Sequence, residues 1–322
     1  MKNKNLKIAL MDRYSNGKEF TEGDHFIHYA KGFLERGCSV FQLDPYKIDF
    51  NENEGIYYQI FSLNGKFGIV NAPVLDSLDK FDVIMDLSDI VDINFAESLS
   101  EINALHINNP LTTYDSADKR TYVERYPEFI PKTFVSSDFN ELERILSEEF
   151  NGKMVVKDPF GSCGRGVELI SSENLDTLKK MTNNGKKEIV AQKFMEFAHE
   201  GSKRVAVIGN VNDSDSYKII HFYGRKPGKG SWKDNLSQGG TAVGLENLSD
   251  EERELCLSVA SKSGLYTVGL DIMDDLDESG NRIPRLVETN AVLAFSEGGK
   301  HFGKLKIVTD FILDELLKGK EK

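Results

Sequence analysis

Three oxygen-bearing side chains lie on two apolar segments near the end of the chain. Asp271 belongs to the first segment, and Glu288 and Asn290 belong to the second. Between the segments, Ser279-Gly280 is a turn signal, and a hairpin centred there places Asp271 opposite Glu288. Because side chains alternate along a strand, Asn290 shares the face of Glu288. The sequence therefore predicts three oxygen donors that converge on one face of a hairpin.

Such a group of donors is typical of a site for a divalent cation. Two neighbouring carboxylates repel each other unless a cation or a proton lies between them. Oxygen ligands favour Mg²⁺, whose coordination is usually completed by water and substrate phosphates. We therefore predict that Asp271, Glu288 and Asn290 hold Mg²⁺, with Mn²⁺ as a second candidate. The alternative is that Asp271 or Glu288 simply faces solvent at the end of its strand.

A lysine followed by a glycine-rich loop forms a second candidate site. Lys157 ends an apolar segment, and residues 158–166, Asp-Pro-Phe-Gly-Ser-Cys-Gly-Arg-Gly, separate it from the next one. A P-loop lies between a strand and a helix and ends in Lys-Ser/Thr, whereas this loop joins two predicted strands. Such a flap can cover a phosphate with its backbone N–H groups while Lys157 contacts the same phosphate. The alternative is an exposed lysine beside a flexible loop.

A concentration of basic residues stands out in an acidic chain. Lys203 and Arg204 are followed by Arg225 and Lys233, and then by Asn235-Leu-Ser-Gln-Gly-Gly240. Arginine and lysine beside glycine loops suit the capture of a carboxylate or a phosphate. The alternative is a mobile surface loop.

Four other residues are weaker candidates. Lys119, taken alone, is more typical of a solvated helix face. Cys163 lies in the glycine loop, but no histidine is near it in the sequence, which argues against a catalytic thiol. His25 and His28 fit ordinary positions of a helix.

The alternation of strands and helices predicts the fold of the first part of the chain. Strands are predicted at 6–11, 39–43 and 81–85, with a helix around 26–34. This order indicates a doubly wound parallel sheet in an N-terminal domain, residues 1–115. The first turn, 12–17, lacks the glycine pattern of dinucleotide-binding proteins, which excludes a Rossmann dehydrogenase.

Two further domains are predicted, residues 116–195 and 196–322. Helices are predicted at 137–150 and 249–263, and the second begins with a capping box between Ser249 and Glu252. Predicted strands are 129–135, 154–157, 167–170, 189–196, 203–208, 217–223, 266–273 and 285–291.

The composition of the chain bears on its partners and on its cellular compartment. The chain has 322 residues, with 40 basic and 52 acidic side chains and a net charge of −12. An acidic surface repels phosphate backbones, so we expect no nucleic-acid partner. No apolar run approaches the roughly 20 residues that span a bilayer, so we expect no membrane partner. Three widely spaced cysteines without metal-type pairing favour a reduced, cytoplasmic protein.

Taken in order, these segments resemble the ATP-grasp ligases, and among them the bacterial glutathione synthetases. The resemblance covers most of the chain and is best from about Asn108 to Asn290. The segments that carry it are Asn108-Asn-Pro110 with Lys119, Lys157 with the loop 158–166, Gln192–Met195, Lys203-Arg204-Val205, Arg225, Lys233, Asn235–Gly240, Gly269–Ile272 and Glu288-Thr-Asn290.

The resemblance implies an ATP-grasp fold, in which a parallel-sheet lobe precedes two antiparallel sheets that sandwich ATP. It implies a C–N bond-forming ligase that releases ADP and joins a carboxylate to an amine through an acylphosphate. Lys157 and Arg225 are the implied catalytic residues, and Arg225 is our choice to stabilise the tetrahedral species. The implied ATP-binding residues are Lys119, Lys157, Gly161, Ser162, Gly164, Gly166, Gln192, Lys193, Phe194 and Met195. The implied substrate-binding residues are Arg204, Lys233, Asn235, Gly239 and Gly240, and the metal-binding residues are Asp271, Glu288 and Asn290.

The sequence departs from the family pattern at three places, of which the first two bear on the substrate. Asp86-Leu-Ser-Asp89 stands where the family carries Arg-Lys-Asp-Pro-Pro, and Ala291–Phe295 stands where Ser-Pro-Thr is expected. Ser202 replaces an aspartate associated with the ribose. We therefore expect a small-molecule ligase for an amino acid or short peptide other than, or broader than, the glutathione pair. The alternatives are an authentic glutathione synthetase, which joins γ-glutamylcysteine to glycine, and a non-catalytic ATP-binding relative. The resemblance also implies a homodimer or homotetramer.

Overall fold

Three sheets follow one another along the chain. The computed structural model describes residues 6–12, 25–63, 66–70, 72–88, 90–293 and 304–318. The strands are β1 Lys7–Met11, β2 Ser39–Asp49, β3 Glu54–Leu63, β4 Lys66–Ile69, β5 Val74–Ser77, β6 Val83–Asp86, β7 Leu105–Ile107, β8 Thr133–Ser136, β9 Lys153–Lys157, β10 Val167–Ser171, β11 Ile189–Lys193, β12 Ser202–Ile208, β13 Lys218–Lys226, β14 Thr241–Val243, β15 Thr267–Leu276 and β16 Arg282–Asn290. The helices are α1 His25–Glu35, α2 Ile93–Ser100, α3 Pro110–Ala117, α4 Tyr122–Arg125, α5 Phe139–Glu148, α6 Asp176–Met181, α7 Asp250–Ser263 and α8 Leu305–Phe311.

The first sheet has a parallel centre and an antiparallel edge. Its order is β4-β3-β2-β1-β6-β7, and β5 also pairs with β3. The parallel pairs among β1, β2, β6 and β7 confirm the predicted parallel sheet. The antiparallel strands β3, β4 and β5 were not predicted. In β3, Tyr57 and Tyr58 are both buried, so the alternation that signals a strand is missing there.

The second sheet is antiparallel and carries the predicted flap. Its order is β10-β9-β11-β8, and residues 158–166 connect β9 to β10. α5 covers this sheet because Leu142, Ile145 and Leu146 recur at helical spacing and are buried. The predicted strand at 129–135 starts later than expected, at Thr133.

The third sheet contains the hairpin that was predicted to hold a metal ion. Its order is β14-β13-β12-β15-β16, and β15 and β16 pair so that Asp271 lies opposite Glu288, as predicted. Gly280 at the turn has a φ of 81°, a conformation that glycine adopts without steric cost. The predicted capping box of α7 is also present, between Ser249 and Glu252.

The last helix, α8, packs against α1 in the N-terminal part of the fold, which also contains the first sheet. Phe311 and Val308 of α8 share a buried cluster with Phe33 of α1. Arg36 at the end of α1 forms an ion pair of 2.6 Å with Asp310. C-terminal residues therefore complete the hydrophobic core around the first sheet. The predicted domain borders, 1–115, 116–195 and 196–322, stay a prediction.

In the described ranges no helix is long and apolar enough to cross a membrane. His25 and His28 both fall in α1. Several predicted features lie outside the described residues, namely the N-terminal tail, the first turn beyond Asp12, Asp89 and positions 294–295.

Candidate active site

A cleft of about 770 Å³, open to solvent, separates the second sheet from the third. Its walls come from β9, β11, the flap, β13, β15, β16 and the loop 227–240. Most of the predicted site residues line it: Lys119, Lys157, Gly161, Gly164, Gln192, Lys193, Phe194, Met195, Arg225, Lys233, Asn235, Asp271 and Glu288. Residues separated by up to 169 positions in the sequence thus meet in one cavity, from Lys119 to Glu288.

Lys157 is buried at the end of β9, directly before the flap. Its side chain is 7% exposed, and its Nζ donates a 2.7 Å hydrogen bond to Gln192 Oε1. Burial lowers the pKa of Lys157 to about 8, the charge of Glu288 opposes that shift, and the charge of Lys119 adds to it. The alternative of an exposed lysine is therefore wrong, and the ammonium group has little solvation to lose when an anion arrives.

Lys119 joins the flap to the third sheet. It begins a short 3₁₀ turn capped by Asp118 and is 6% exposed, so it does not lie on a solvated helix face. Its Nζ donates a 2.6 Å hydrogen bond to the carbonyl of Gly161 and lies 3.0 Å from Glu288 Oε1. A second buried ammonium group therefore lies beneath the flap, next to a carboxylate of the hairpin.

Asp271 is held by two arginines of neighbouring strands. Arg204 contacts both of its carboxylate oxygens, and Arg225 Nη2 lies 2.7 Å from Oδ2. Ser202 Oγ accepts two hydrogen bonds from Arg225, at 3.1 and 2.8 Å. Desolvation raises the pKa of Asp271, but Arg204 and Arg225 outweigh it and hold that pKa below its usual range. Asp271 is 3% exposed, so the solvent-facing alternative is wrong for this residue.

The oxygen donors of the hairpin fit a hard divalent cation. Asn290 donates its amide nitrogen to the carbonyl of Gly269 at 3.3 Å, so its amide oxygen is the atom that a cation would use. A carboxylate oxygen accepts more than one contact, so Asp271 can serve a cation and an arginine together. Within the described ranges no group of three or more His, Cys, Asp or Glu side chains could hold a metal. Two carboxylates and one amide suit an ion that takes its other ligands from water and phosphate.

The segment Gln192–Met195, predicted to bind ATP, ends β11 at Lys193 and then leaves the sheet, so the strand predicted at 189–196 is shorter than expected. Gln192 is buried, and its Nε2 donates a 2.9 Å hydrogen bond to Thr133 Oγ1. Lys193 forms an ion pair of 2.8 Å with the buried Asp275. The ring of Phe194 contacts Trp232 edge-on, with ring centroids 5.6 Å apart. Met195 is buried beside it, which gives this end of the cleft an apolar, aromatic lining.

The loop 227–240 contacts the flap rather than extending into solvent. Gln238 Nε2 donates a 2.8 Å hydrogen bond to the carbonyl of Cys163, and Lys233 Nζ donates one of 3.4 Å to the carbonyl of Gly164. Gly164 has a φ of 71°, and a Cβ there would lie 2.4 Å from Asn235 Oδ1. The two glycine-rich segments therefore close over the same space.

The other predicted site residues lie near the cleft without lining it: Ser162, Gly166, Arg204, Gly239, Gly240 and Asn290. Arg204 acts through Asp271, and Gly240 packs against the backbone of the loop, where a Cβ would lie 2.1 Å from the carbonyl of Asp234. Cys163 is a free, exposed thiol on the flap.

The structure adds lining residues that the sequence analysis did not assign to the site. Ser202 was predicted only as a departure from the family pattern, Trp232 was only a member of the basic segment 225–233, and Asp234 was not predicted at all. The cluster of Arg, Lys and Gly around Trp232 was the one available signal for this loop. The cleft is also lined by apolar residues that carried no such signal, namely Val155, Val167, Ala198, Met273 and Val287.

Comparison with known proteins agrees with this geometry. Residues 119–279 match the model of the prokaryotic glutathione synthetase ATP-grasp domain, which is half of the chain. The chain belongs to that ATP-grasp family. It is 29% identical over 290 residues to a glutathione synthetase of Coxiella burnetii, covering 84% of this chain and 86% of that protein. A glutathione synthetase of Brucella melitensis is 24% identical over 265 residues, covering 79% of this chain and 78% of the relative.

Solved structures of ATP-grasp proteins share the fold. The VanG D-Ala:D-Ser ligase of Enterococcus faecalis aligns with a TM-score of 0.66 at 14% identity, over 98% of this chain and 99% of that one. A RimK domain ATP-grasp protein of Sphaerobacter thermophilus gives 0.64 at 15% identity, over 96% of this chain and all of that one. This ATP-grasp protein is therefore an ATP-dependent, ADP-forming ligase that makes C–N bonds and uses a divalent metal ion.

Proposed function

We propose that the chain joins the carboxylate of an amino acid or short peptide to an amine, through an acylphosphate, with release of ADP and phosphate. The observation that carries the proposal is the meeting of Lys119, Lys157, Arg225, Asp271 and Glu288 in one cleft beneath a glycine-rich flap. Two cations for a triphosphate, oxygen donors for a divalent metal and a fixed arginine are the groups that this reaction needs.

The first half-reaction is phosphoryl transfer. Lys119 and Lys157 contact the phosphates of ATP, and the backbone N–H groups of the flap at Gly161, Ser162, Gly164 and Gly166 cover them. Asp271, Glu288 and Asn290 would hold Mg²⁺, with Mn²⁺ as the second candidate, and the ion would neutralise phosphate charge. A substrate carboxylate oxygen attacks the γ-phosphorus, ADP leaves, and an acylphosphate forms. Positioning and charge neutralisation supply most of the rate in such transfers.

The second half-reaction forms the amide bond. The neutral amine attacks the acyl carbon, the bond between that carbon and the phosphate oxygen breaks with its electron pair going to phosphate, and the proton that the amine loses is carried away by the departing phosphate. Arg225 stabilises the oxyanion that develops, because Ser202 and Asp271 already fix its guanidinium. The contacts of Gln238 and Lys233 with the flap close the cleft, which excludes water that would otherwise hydrolyse the acylphosphate.

The remaining predicted residues surround these groups. Gln192, Lys193, Phe194 and Met195 hold the adenine ring, and the aromatic wall formed with Trp232 supports this assignment. Lys233, Asn235, Gly239 and Gly240 bind the substrate or its phosphate, and Arg204, which was predicted to bind the substrate, instead holds Asp271 in position. We further propose that the protein is a cytoplasmic homodimer or homotetramer without nucleic-acid or membrane partners. Light scattering of the purified chain tests the oligomeric state.

Synthesis of glutathione from γ-glutamylcysteine and glycine is the second candidate function. Its support is the 29% identity to the glutathione synthetase of Coxiella burnetii over most of both chains. The departures at Asp86-Leu-Ser-Asp89 and at 291–295 favour a different or broader substrate. A third reading, a non-catalytic ATP-binding relative, is disfavoured because both buried lysines and all three oxygen donors are present.

The proposed function is tested by measuring ADP release with Mg-ATP across a panel of amino acids and dipeptides. The products are identified by mass spectrometry. Amide formation with a pair other than γ-glutamylcysteine and glycine supports the proposal. Strong turnover of the glutathione pair alone establishes the second candidate. ATP binding without any product across the panel supports the non-catalytic reading.

A further inference from the structure

One carboxylate of the cleft has no counter-charge in the described part of the chain. Three carboxylates line the cleft, and two of them are paired, Asp271 with two arginines and Glu288 with Lys119. The third, Asp234, is 7% exposed. Its Oδ2 is buried and has no hydrogen-bond partner among the described residues.

An unpaired buried carboxylate is costly, which makes this arrangement informative. A charged group that leaves water must recover its solvation from a partner, and a buried carboxylate without one destabilises the fold. The adjacent Lys233 does not supply that partner, since its Nζ is directed to the carbonyl of Gly164. Because Asp234 lines the cleft, a bound ligand can supply the positive charge that the protein leaves out.

The surroundings favour an organic ammonium over a metal ion as that ligand. A divalent cation needs several oxygen donors, and the other two carboxylates that line the cleft, Asp271 and Glu288, are the ones assigned to Mg²⁺. The ring of Trp232, two positions away in the chain, lines the same cleft. An aromatic face attracts an ammonium group through its quadrupole, as it does Lys233 Nζ at 5.7 Å from the ring centroid, and it is not a ligand for Mg²⁺.

We propose that Asp234 binds the primary ammonium group of the amino-acid or peptide substrate. Asp234 is then a specificity-determining residue, which selects substrates that are positively charged at that position over isosteric neutral ones. The proposal rests on the proposed ligase function for the class of substrate, whereas the binding test below does not require turnover.

The chain provides its own optical probe for this test. Trp232 is its single tryptophan and lies in the cleft with Asp234, so ligand binding there changes its emission. The full chain, saturated with Mg-ADP, is titrated with glycine against glycolate and with L-alanine against L-lactate. Each pair exchanges an ammonium group for a hydroxyl group at nearly constant size. The variants are Asp234→Asn, Asp234→Glu and, as a matched control, Asp215→Asn, which neutralises an exposed aspartate in the turn between β12 and β13.

We expect the wild-type protein and Asp215→Asn to prefer the ammonium member of a pair by about tenfold to a hundredfold, the value of a charge-assisted hydrogen bond. Asp234→Asn should lose this preference while its affinity for Mg-ADP is unchanged, and Asp234→Glu should keep part of it. Circular dichroism and thermal melting establish that each variant is folded.

Three results would overturn the proposal. The first is no ammonium preference in the wild-type protein for either pair. The second is a preference that survives in Asp234→Asn. The third is an Asp234→Asn variant whose Mg²⁺ requirement for nucleotide binding rises instead, which would make Asp234 a metal ligand. The ligase function and the role of Asp234 fail separately. If the protein prefers ammonium ligands but releases no ADP with any substrate, the ligase function is contradicted and the proposed role of Asp234 is still supported.

Discussion

Lys119 and Glu288 form an ion pair inside the cleft, with Lys119 Nζ 3.0 Å from Glu288 Oε1. The same ammonium group donates to the carbonyl of Gly161 at 2.6 Å, so one lysine connects the metal-binding hairpin to the flap. This contact brings a proposed phosphate ligand and a proposed metal ligand together before any substrate is bound.

Glu288→Gln should abolish ligase activity and ADP formation together while the fold survives. The amide keeps the size of the side chain and loses the charge that a divalent cation and Lys119 both need. We expect a decrease of about a thousandfold in kcat, on the scale of removing one charge-stabilising group from a transition state. Coupled ADP release and thermal melting measure the two effects. The control is Glu278→Gln, at the exposed turn of the same hairpin. Normal turnover with an unchanged Mg²⁺ requirement would remove Glu288 from the metal site.

Affinity for ATP should fall as the pH rises through about 8. In the free protein, burial lowers the pKa of Lys157 to about 8. The negative charge of Glu288 opposes this decrease, and the positive charge of Lys119 adds to it. A triphosphate favours the charged lysine, so ATP binds with proton uptake once Lys157 is neutral. Above pH 8 the Kd should therefore rise by up to about tenfold per pH unit, and below pH 7 it should be flat with respect to this group.

Calorimetry from pH 7 to 9.5 measures this dependence at fixed free Mg²⁺. Lys157→Gln should bind ATP weakly at every pH and lose the pH-dependent component. An identical slope in the wild-type protein and the variant would assign the titration to another group.

The sequence predicted contacts within one hairpin of the site better than contacts between strands that are far apart in the chain. The register of Asp271 and Glu288 was predictable because the turn at Ser279-Gly280 fixes which residues of a hairpin face each other. The pairing of Asp271 with Arg204 was not predictable. The two residues are directly opposite on β15 and β12, but they are 67 positions apart and no turn between them sets the register.

The same distinction holds for the fold. α5 and the capping box of α7 were predictable because their signals are confined to one segment. The antiparallel edge of the first sheet was missed because adjacent Tyr57 and Tyr58 are both buried, and that burial comes from tertiary packing. The lack of a counter-charge at Asp234 is likewise a property of the assembled cleft, since the sequence places two basic residues, Lys233 and Lys229, close to it.

Arg225→Lys should lower kcat by about a hundredfold with little change in ATP affinity. Lysine keeps the positive charge but cannot contact Ser202 Oγ and Asp271 in the fixed planar geometry of a guanidinium. Arg204 still pairs with Asp271 in the variant, so the buried carboxylate keeps a cation and the fold is retained. Single-turnover measurements separate phosphoryl transfer from amide formation. The proposed role of Arg225 requires the second step to slow more than the first, and a selective effect on ATP binding would contradict it.

Gly201→Ala should destabilise the protein and displace the strand that carries Arg225. Gly201 precedes β12 with a φ of 91°, and a Cβ there would lie 1.9 Å from the carbonyl of Arg225. Gly280→Ala is the matched control, because its φ of 81° is similarly positive but a Cβ there would meet nothing within 4 Å. We expect a loss of about 3 kcal/mol in the free energy of unfolding for Gly201→Ala, and of about 1 kcal/mol for Gly280→Ala.

Urea denaturation measures both losses, and their difference isolates the steric clash from the shared cost of a positive φ. Because the clash is with the backbone of Arg225, relief of it must move that residue relative to Ser202, which pairs with it across β12 and β13. The kcat of Gly201→Ala should therefore fall under conditions in which the variant is fully folded, while Gly280→Ala should retain normal turnover. Equal stability of the two variants would show that β13 yields to the added methyl group without cost.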